Sequence, residues 1–224
     1  MTTIDNKNEI KCAVFDLDGT LLNTIKTINH YLNLALAEHG LGNVSESDCM
    51  SFVGDGAVKL IERALDSVGG ERSLFDSIYR RYNEAYNASP YYLTEVYPGI
   101  PELLSELKCR GIKLAVLSNK PDFAVQRAVD KFLPDAFDIV LGGREGVALK
   151  PSPDSLYEIL DRLGFTPTET AYIGDSEPDI LTARNASVGL PIFVSWGFRS
   201  AEQLKAAGAE QIVHSADSLI NLIK

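Results

Sequence analysis

Short, almost unbroken apolar runs separated by helical stretches constrain this chain more than any other feature. The runs cover residues 11–16, Lys113–Leu117, Phe137–Leu141, Ala171–Gly174, Pro191–Val194 and Gln211–Val213. They lack the apolar–polar alternation of a half-solvated strand, so they predict strands buried on both faces. Helices are predicted between them at Pro101–Cys109, Pro121–Lys131, Pro153–Leu163 and Pro178–Ala186, with a last one from about Ala216. Proline opens four of these segments, at the first turn where its missing N–H costs no hydrogen bond. Such alternation predicts an α/β fold: a doubly wound parallel sheet, a Rossmann-like core covered by helices on both faces.

The rhythm breaks once. Between Asp18 and Lys113 the chain is about three times longer than the ~30 residues that a strand–helix–strand unit needs. Helical periodicity fills the gap: Ile25, Ile28, Leu32, Ala35 and Leu36, then Val58, Leu60, Ile61, Ala64 and Leu65, then Leu74, Ile78 and Tyr82. Residues 23–89 therefore read as an all-helical cap domain inserted into a core made of residues 1–22 and 90–224. The tyrosine-rich stretch Tyr91–Tyr97, followed by Pro98 and Gly99, returns the chain to the core. Two crossings between the units form a natural hinge. A helical extension packed rigidly on the sheet is the plainer alternative.

Composition narrows the partners. In 224 residues, 45% are hydrophobic and 23% charged, as in a soluble globular protein. The net charge is −10, which argues against nucleic acid or an anionic membrane surface as a partner. An anionic substrate would need a local positive centre. The three cysteines, Cys12, Cys49 and Cys109, lack metal-ligand spacing and suggest reduced thiols in a cytoplasmic protein. The stretch Met1–Glu9 is polar and carries no signal peptide, and no apolar run approaches the ~20 residues of a membrane helix. Neither composition nor pattern separates a monomer from a small homo-oligomer.

Chemistry-bearing residues gather where ligands bind in open α/β sheets, just beyond the carboxyl ends of the strands. Asp16 and Asp18 follow the first run, Ser118 and Asn119 the second, Lys150 precedes Pro151, and Asp175 and Asp179 follow the fourth. Each has a plainer reading alone: a helix cap for Ser118–Asn119, a solvated loop lysine for Lys150, a turn for Gly174-Asp175-Ser176. Together they offer several carboxylates, a hydroxyl and an ammonium in one crevice. Paired carboxylates at a buried strand end repel unless something compensates, and a divalent cation does so through oxygen ligands. The set suits phosphoryl transfer, where catalysis is mainly positioning and electrostatic stabilisation.

The segments DLDGTLLNT (16–24), LSNK (117–120), LKPSPD (149–154) and IGDSEPDI (173–180) resemble, in order and spacing, the haloacid dehalogenase superfamily. The likeness is to its capped phosphatase branch, and within it to phosphoglycolate phosphatases. Tyr97-Pro98-Gly99, Phe52-Val53-Gly54-Asp55-Gly56 and Trp196-Gly197-Phe198-Arg199 add to it, while Asn23 departs from a common aspartate. The resemblance implies that Asp16 attacks phosphorus to form an aspartyl-phosphate. It implies that Asp18 protonates the leaving oxygen and later activates water, a role that calls for neighbouring negative charge. Ser118 and Asn119 would bind the phosphoryl group, Lys150 would neutralise charge, and Thr20 would steady the turn. Mg²⁺ would be held by Asp16, Asp175 and the backbone carbonyl of Asp18, with Asp179 orienting that shell or the lysine. Aspartate at position 18 disfavours halide displacement, whose leaving group needs no proton.

Specificity would lie in the cap. Gly54, Gly56 and Lys59, with Thr20 and Asn119, are the further candidate contacts to a small phosphorylated metabolite. Equally, two glycines between helices make a turn, and Lys59 and Arg63 at helical spacing make a solvated face. His30, His39 and His214 show no ligand clustering. Two competing functions remain: a phosphosugar mutase on the same scaffold, and a phospho-accepting signalling module. The mutase lacks an obvious cap acid–base pair, and a slow switch has no need of the insertion or of Asp18.

Overall fold

The computed structural model describes residues 9–223, so the polar stretch from Met1 to Asn8 lies outside it, as does Lys224. Six parallel strands form the main sheet: β1 (Cys12–Phe15), β4 (Lys113–Pro121), β5 (Ile139–Gly143), β6 (Thr170–Gly174), β7 (Leu190–Val194) and β8 (Ile212–Val213). Their spatial order is β5-β4-β1-β6-β7-β8, with β1 near the centre. The chain reverses direction across the sheet at β1, which opens a crevice there.

The apolar runs have a direct cause. Ala13 and Phe15 enter one apolar layer, with Val116, Ile173 and the inward faces of α5 (Ile100–Cys109), α6 (Asp122–Phe132) and α10 (Ala216–Leu222). Cys12 and Val14 enter the opposite layer, with Leu117, Tyr172 and residues of α7 (Asp154–Leu163), α8 (Glu177–Asn185) and α9 (Ala201–Ala206). A strand feeding two layers has no polar face to alternate with. Pro101 and Pro178 sit in first helical turns as expected, whereas Pro121 and Pro153 occupy the position before their helices. The six-residue α9 lacks any long periodic pattern and is absent from the sequence expectation.

The insertion is helical throughout: α1 (Ile25–Ala37), α2 (Glu46–Phe52), α3 (Gly56–Val68) and α4 (Phe75–Ala88). Their apolar stripes meet in a separate cluster that includes Leu32, Leu36, Ile61, Leu65 and Ile78. Phe198, from the loop after β7, plugs into this cluster from the core side. A two-stranded antiparallel ribbon, β2 (Leu22–Asn23) with β3 (Glu95–Val96), joins the insertion to the sheet. Asn23 lies in that ribbon, opposite Glu95. No helix among the described residues is long and apolar enough to cross a membrane.

Candidate active site

Strand register assembles the acids. Phe15 pairs with Val116 on one side and Ile173 on the other, so the residues that follow these three positions lie side by side. Asp16 follows directly, its N–H donating to the Ile173 carbonyl at 2.8 Å. The next residues turn tightly, with the Leu17 carbonyl accepting from the N–H groups of Thr20, Leu21 and Leu22. Gly19 has φ +88°, and a Cβ there would lie 2.2 Å from a carboxylate oxygen of Asp175. Only glycine fits. Thr20 Oγ1 donates to Asp175 Oδ1 at 3.1 Å, and Phe198 N–H donates to Asp175 Oδ2 at 2.7 Å.

Lys150 threads the acids. Its Nζ lies 2.9 Å from Asp16 Oδ1 and 2.7 Å from Asp179 Oδ1, and its side chain is buried. Asp179 Oδ1 also accepts from the Tyr172 hydroxyl at 2.9 Å. Its Oδ2 accepts from the N–H groups of Asp175 and Ser176 and from the Ser176 hydroxyl. Asn119 braces the lysine's backbone, accepting from Lys150 N–H at 2.8 Å and donating to the Lys150 carbonyl at 3.0 Å. The same amide donates to the Gly54 carbonyl of the insertion at 3.0 Å.

Oxygens of Asp16, Asp175 and Asp179 lie within 4.8 Å of one another. Burial pushes the Asp16 carboxyl up to about 7, with Lys150 opposing and Asp179 adding to the rise. Burial, then the charges of Asp179 and Asp16, hold the Asp175 carboxyl well above its usual range. Burial works against the Lys150 ammonium, yet Asp16 and Asp179 outweigh it and raise its value. One ammonium thus pairs with two of three buried acids, leaving Asp175 without a cation, and the surplus of oxygen donors fits a hard divalent cation. Asp16 Oδ2 accepts no hydrogen bond among the described residues, and each oxygen of Asp175 accepts one. These two acids keep lone pairs for a metal; Asp179, with five donors, does not.

Asp18 stands apart from the three. Its carboxylate oxygens lie 3.1 and 3.0 Å from Lys120 Nζ, so its nearest charged partner is a cation where negative neighbours were expected. Lys120 also sits 4.7 Å from the Tyr86 ring centre. Burial works against its charge, but Asp18 and then Tyr86 raise its value overall.

A cavity of about 80 Å³ lies between crevice and insertion. Asp16, Asp18, Ser118, Asn119 and Asp175 form its floor, and Gly54, Gly56, Leu60, Tyr82, Asn83 and Tyr86 are among its other walls. Of the expected substrate contacts, Ser118, Asn119, Gly54 and Gly56 border this space. Thr20 is buried beneath the turn and binds Asp175. Lys59 stands exposed outside the cavity and pairs with Glu62 at 2.7 Å, the solvated-face alternative. Arg63 is bound to the Phe52 carbonyl and Asp55, fixing the 52–56 loop. His214 bonds Ser195 and His39 bonds the Ala35 carbonyl. The sequence reading gave no role to Lys120 or Arg199, although both lie inside quoted motifs, nor to Asn83.

The sequence pattern of the haloacid dehalogenase-like hydrolases matches residues 13–191. The chain belongs to this family of hydrolases. It is 33% identical over 197 residues to a phosphoglycolate phosphatase of Haemophilus influenzae, covering 85% of this chain and 88% of that one. A phosphoglycolate phosphatase of Mannheimia succiniciproducens is 36% identical over 193 residues, covering 82% and 86%. A crystal structure of a candidate phosphoglycolate phosphatase from Lactobacillus delbrueckii subsp. bulgaricus superposes with a TM-score of 0.92. It is 34% identical and covers 96% of this chain and 99% of that chain.

Proposed function

We propose that this hydrolase is a Mg²⁺-dependent phosphatase of small phosphomonoesters that works through an aspartyl-phosphate at Asp16, with 2-phosphoglycolate as its substrate. The observation that carries this reading is the pairing of a buried, lysine-contacted Asp16 with Asp18 on the cavity floor. In the first step Asp16 Oδ2 bonds to phosphorus as the bond from phosphorus to the leaving oxygen breaks. Asp18 gives that oxygen its proton, releasing the alcohol. In the second step water attacks phosphorus, Asp18 takes a proton from it, and the bond from phosphorus to Asp16 breaks. Phosphate leaves and both acids return to their starting forms.

Ser118 and Lys150 would hold the phosphoryl oxygens, the lysine offsetting charge shared between nucleophile and phosphate. Asp16 and Asp175 would hold Mg²⁺, and Asp179 would fix Lys150 and the β6–α8 turn. The bound ion would supply Lewis-acid stabilisation of the phosphoryl oxygens. Residues 23–89 would act as a cap hinged at the β2–β3 ribbon, excluding water once the substrate is in place. The cavity holds only a handful of water-sized groups, which suits a small ester. The phosphoglycolate assignment is supported by the relatives' activity. Reduced thiols, two of them buried, support a reducing compartment.

Phosphate release from a panel of phosphomonoesters tests the reading. Activity that vanishes with a chelator, returns with Mg²⁺ and ranks 2-phosphoglycolate near the top is expected. Full turnover without metal contradicts the mechanism, and a low rank for 2-phosphoglycolate contradicts the substrate.

A further inference from the structure

Lys120 enters none of the steps above, yet it lines the cavity. Among the residues lining it, Lys120 is the one cation, in company with the acids Asp16, Asp18 and Asp175, and it contacts Asp18. The other nearby cations are committed elsewhere. Lys150 is held between Asp16 and Asp179. Arg63 binds Asp55 and the Phe52 carbonyl, and Arg199 binds Glu177 and carbonyls of residues 50–53. With Lys150 and the metal engaged by the phosphoryl group and the acids, a second anionic group on the substrate would meet one further cation among the lining residues, Lys120.

The position of that charge identifies which part of the substrate it meets. In the mechanism proposed above Asp18 protonates the leaving oxygen, so a cation touching both oxygens of Asp18 would border the leaving group. An ammonium carries three donors; two are directed at Asp18 and Tyr86 engages the third, so a substrate carboxylate would take the place of one of these partners. Tyr86 covers another side of the cation, and Asn83 adds a polar group to the same cavity. A carboxylate one carbon from the leaving oxygen lies within reach of a group that already touches the proton donor.

We propose that Lys120 is the specificity-determining residue of this site, receiving a carboxylate carried on the leaving group, so that the preferred substrates are phosphoesters of 2-hydroxy acids. This rests on the phosphatase reading and names the residue that discriminates within it. The test compares 2-phosphoglycolate with its neutral counterpart, 2-hydroxyethyl phosphate, in wild type, Lys120→Met and Lys120→Arg with Mg²⁺ present. The ratio of the two kcat/KM values cancels any effect that Lys120 exerts through Asp18.

Wild type is expected to favour the carboxylate ester, Lys120→Met to lower the ratio by about 10- to 100-fold, and Lys120→Arg to keep most of it. Continued turnover of the neutral ester by Lys120→Met shows that the variant is folded. Equal losses for both esters overturn the proposal and make Lys120 a partner of Asp18 alone; loss of both activities in both variants does the same. A wild type that hydrolyses the neutral ester as readily as the carboxylate one also overturns it, while leaving the phosphatase reading intact. Only failure to hydrolyse either ester would count against that underlying reading.

Discussion

Asp179 accepts five hydrogen bonds and Asp16 far fewer, although the two acids share one lysine. An amide at position 179 would turn its NH₂ toward donors, either Lys150 and Tyr172 or the Ser176 hydroxyl and two backbone N–H groups. Removing one partner of a buried ion pair costs about 3–5 kcal/mol. Asp179→Asn is therefore expected to lose that much in urea unfolding. At position 16 the amide oxygen can still accept from Leu17 N–H and Lys150, with its NH₂ facing the cavity. Asp16→Asn should stay within about 1 kcal/mol of wild type while losing activity. Equal stability losses in the two variants would remove the distinction between a framework acid and a reacting one. The family resemblance implied this division, with Asp179 orienting the shell or the lysine beside Asp16 and Asp175. Spacing alone does not make it, because Asp175 and Asp179 look alike in IGDSEPDI; what separates them physically is the donor count that the β6–α8 turn imposes.

At the level of elements, Arg199 fastens the insertion to the core. Its guanidinium donates to the carbonyls of Met50, Ser51 and Val53 at the end of α2, and to Glu177 of α8. A buried cation at a helix C-terminus meets both orphan carbonyls and the negative end of the helix dipole. The same loop presents Gly54 to Asn119, so α2 and the cavity's lip are held together. Arg199→Ala is expected to destabilise the protein by about 2 kcal/mol. Amide exchange in residues 46–56 should accelerate more than in β1 or β6. Unchanged exchange there would show that the arginine holds nothing in place. Strands β1, β4, β6 and β7 were legible because burial between two layers writes itself as an apolar run. Arg199, Lys120 and Asn83 were not, since their roles arise only when the insertion folds down over the sheet. The short α9 was missed for a different reason: six residues behind a Ser200 capping box carry no periodicity to read.

For the whole molecule, the buried acids link stability to pH and metal. Asp16 has an ordinary value of 3.8 and is pushed to about 7 on folding, chiefly by burial; Asp175 shifts in the same direction. The folded, metal-free protein thus binds these protons more tightly than the unfolded chain. Their contribution is fullest below 3.8 and is lost as pH rises through about 7. With chelator present, wild type should lose stability relative to Asp16→Asn across that window, and Mg²⁺ should shrink the loss by favouring the ionised acids. Parallel pH profiles for the two proteins would contradict this. The sheet between two helical layers, the helical insertion and the crevice acids were all foreshadowed by sequence. Of the cavity, the floor and the Gly54–Gly56 lip were foreshadowed; the walls from Leu60, Tyr82, Asn83 and Tyr86 were not, because they are brought in by helices far from the crevice along the chain. The most direct test of the account is to quench turnover of 2-phosphoglycolate with acid and map the phosphoryl group by mass spectrometry of peptides. It is expected on Asp16 in wild type, with Asp16→Asn carrying none and releasing no phosphate. Phosphate released by Asp16→Asn at the wild-type rate would contradict the central claim.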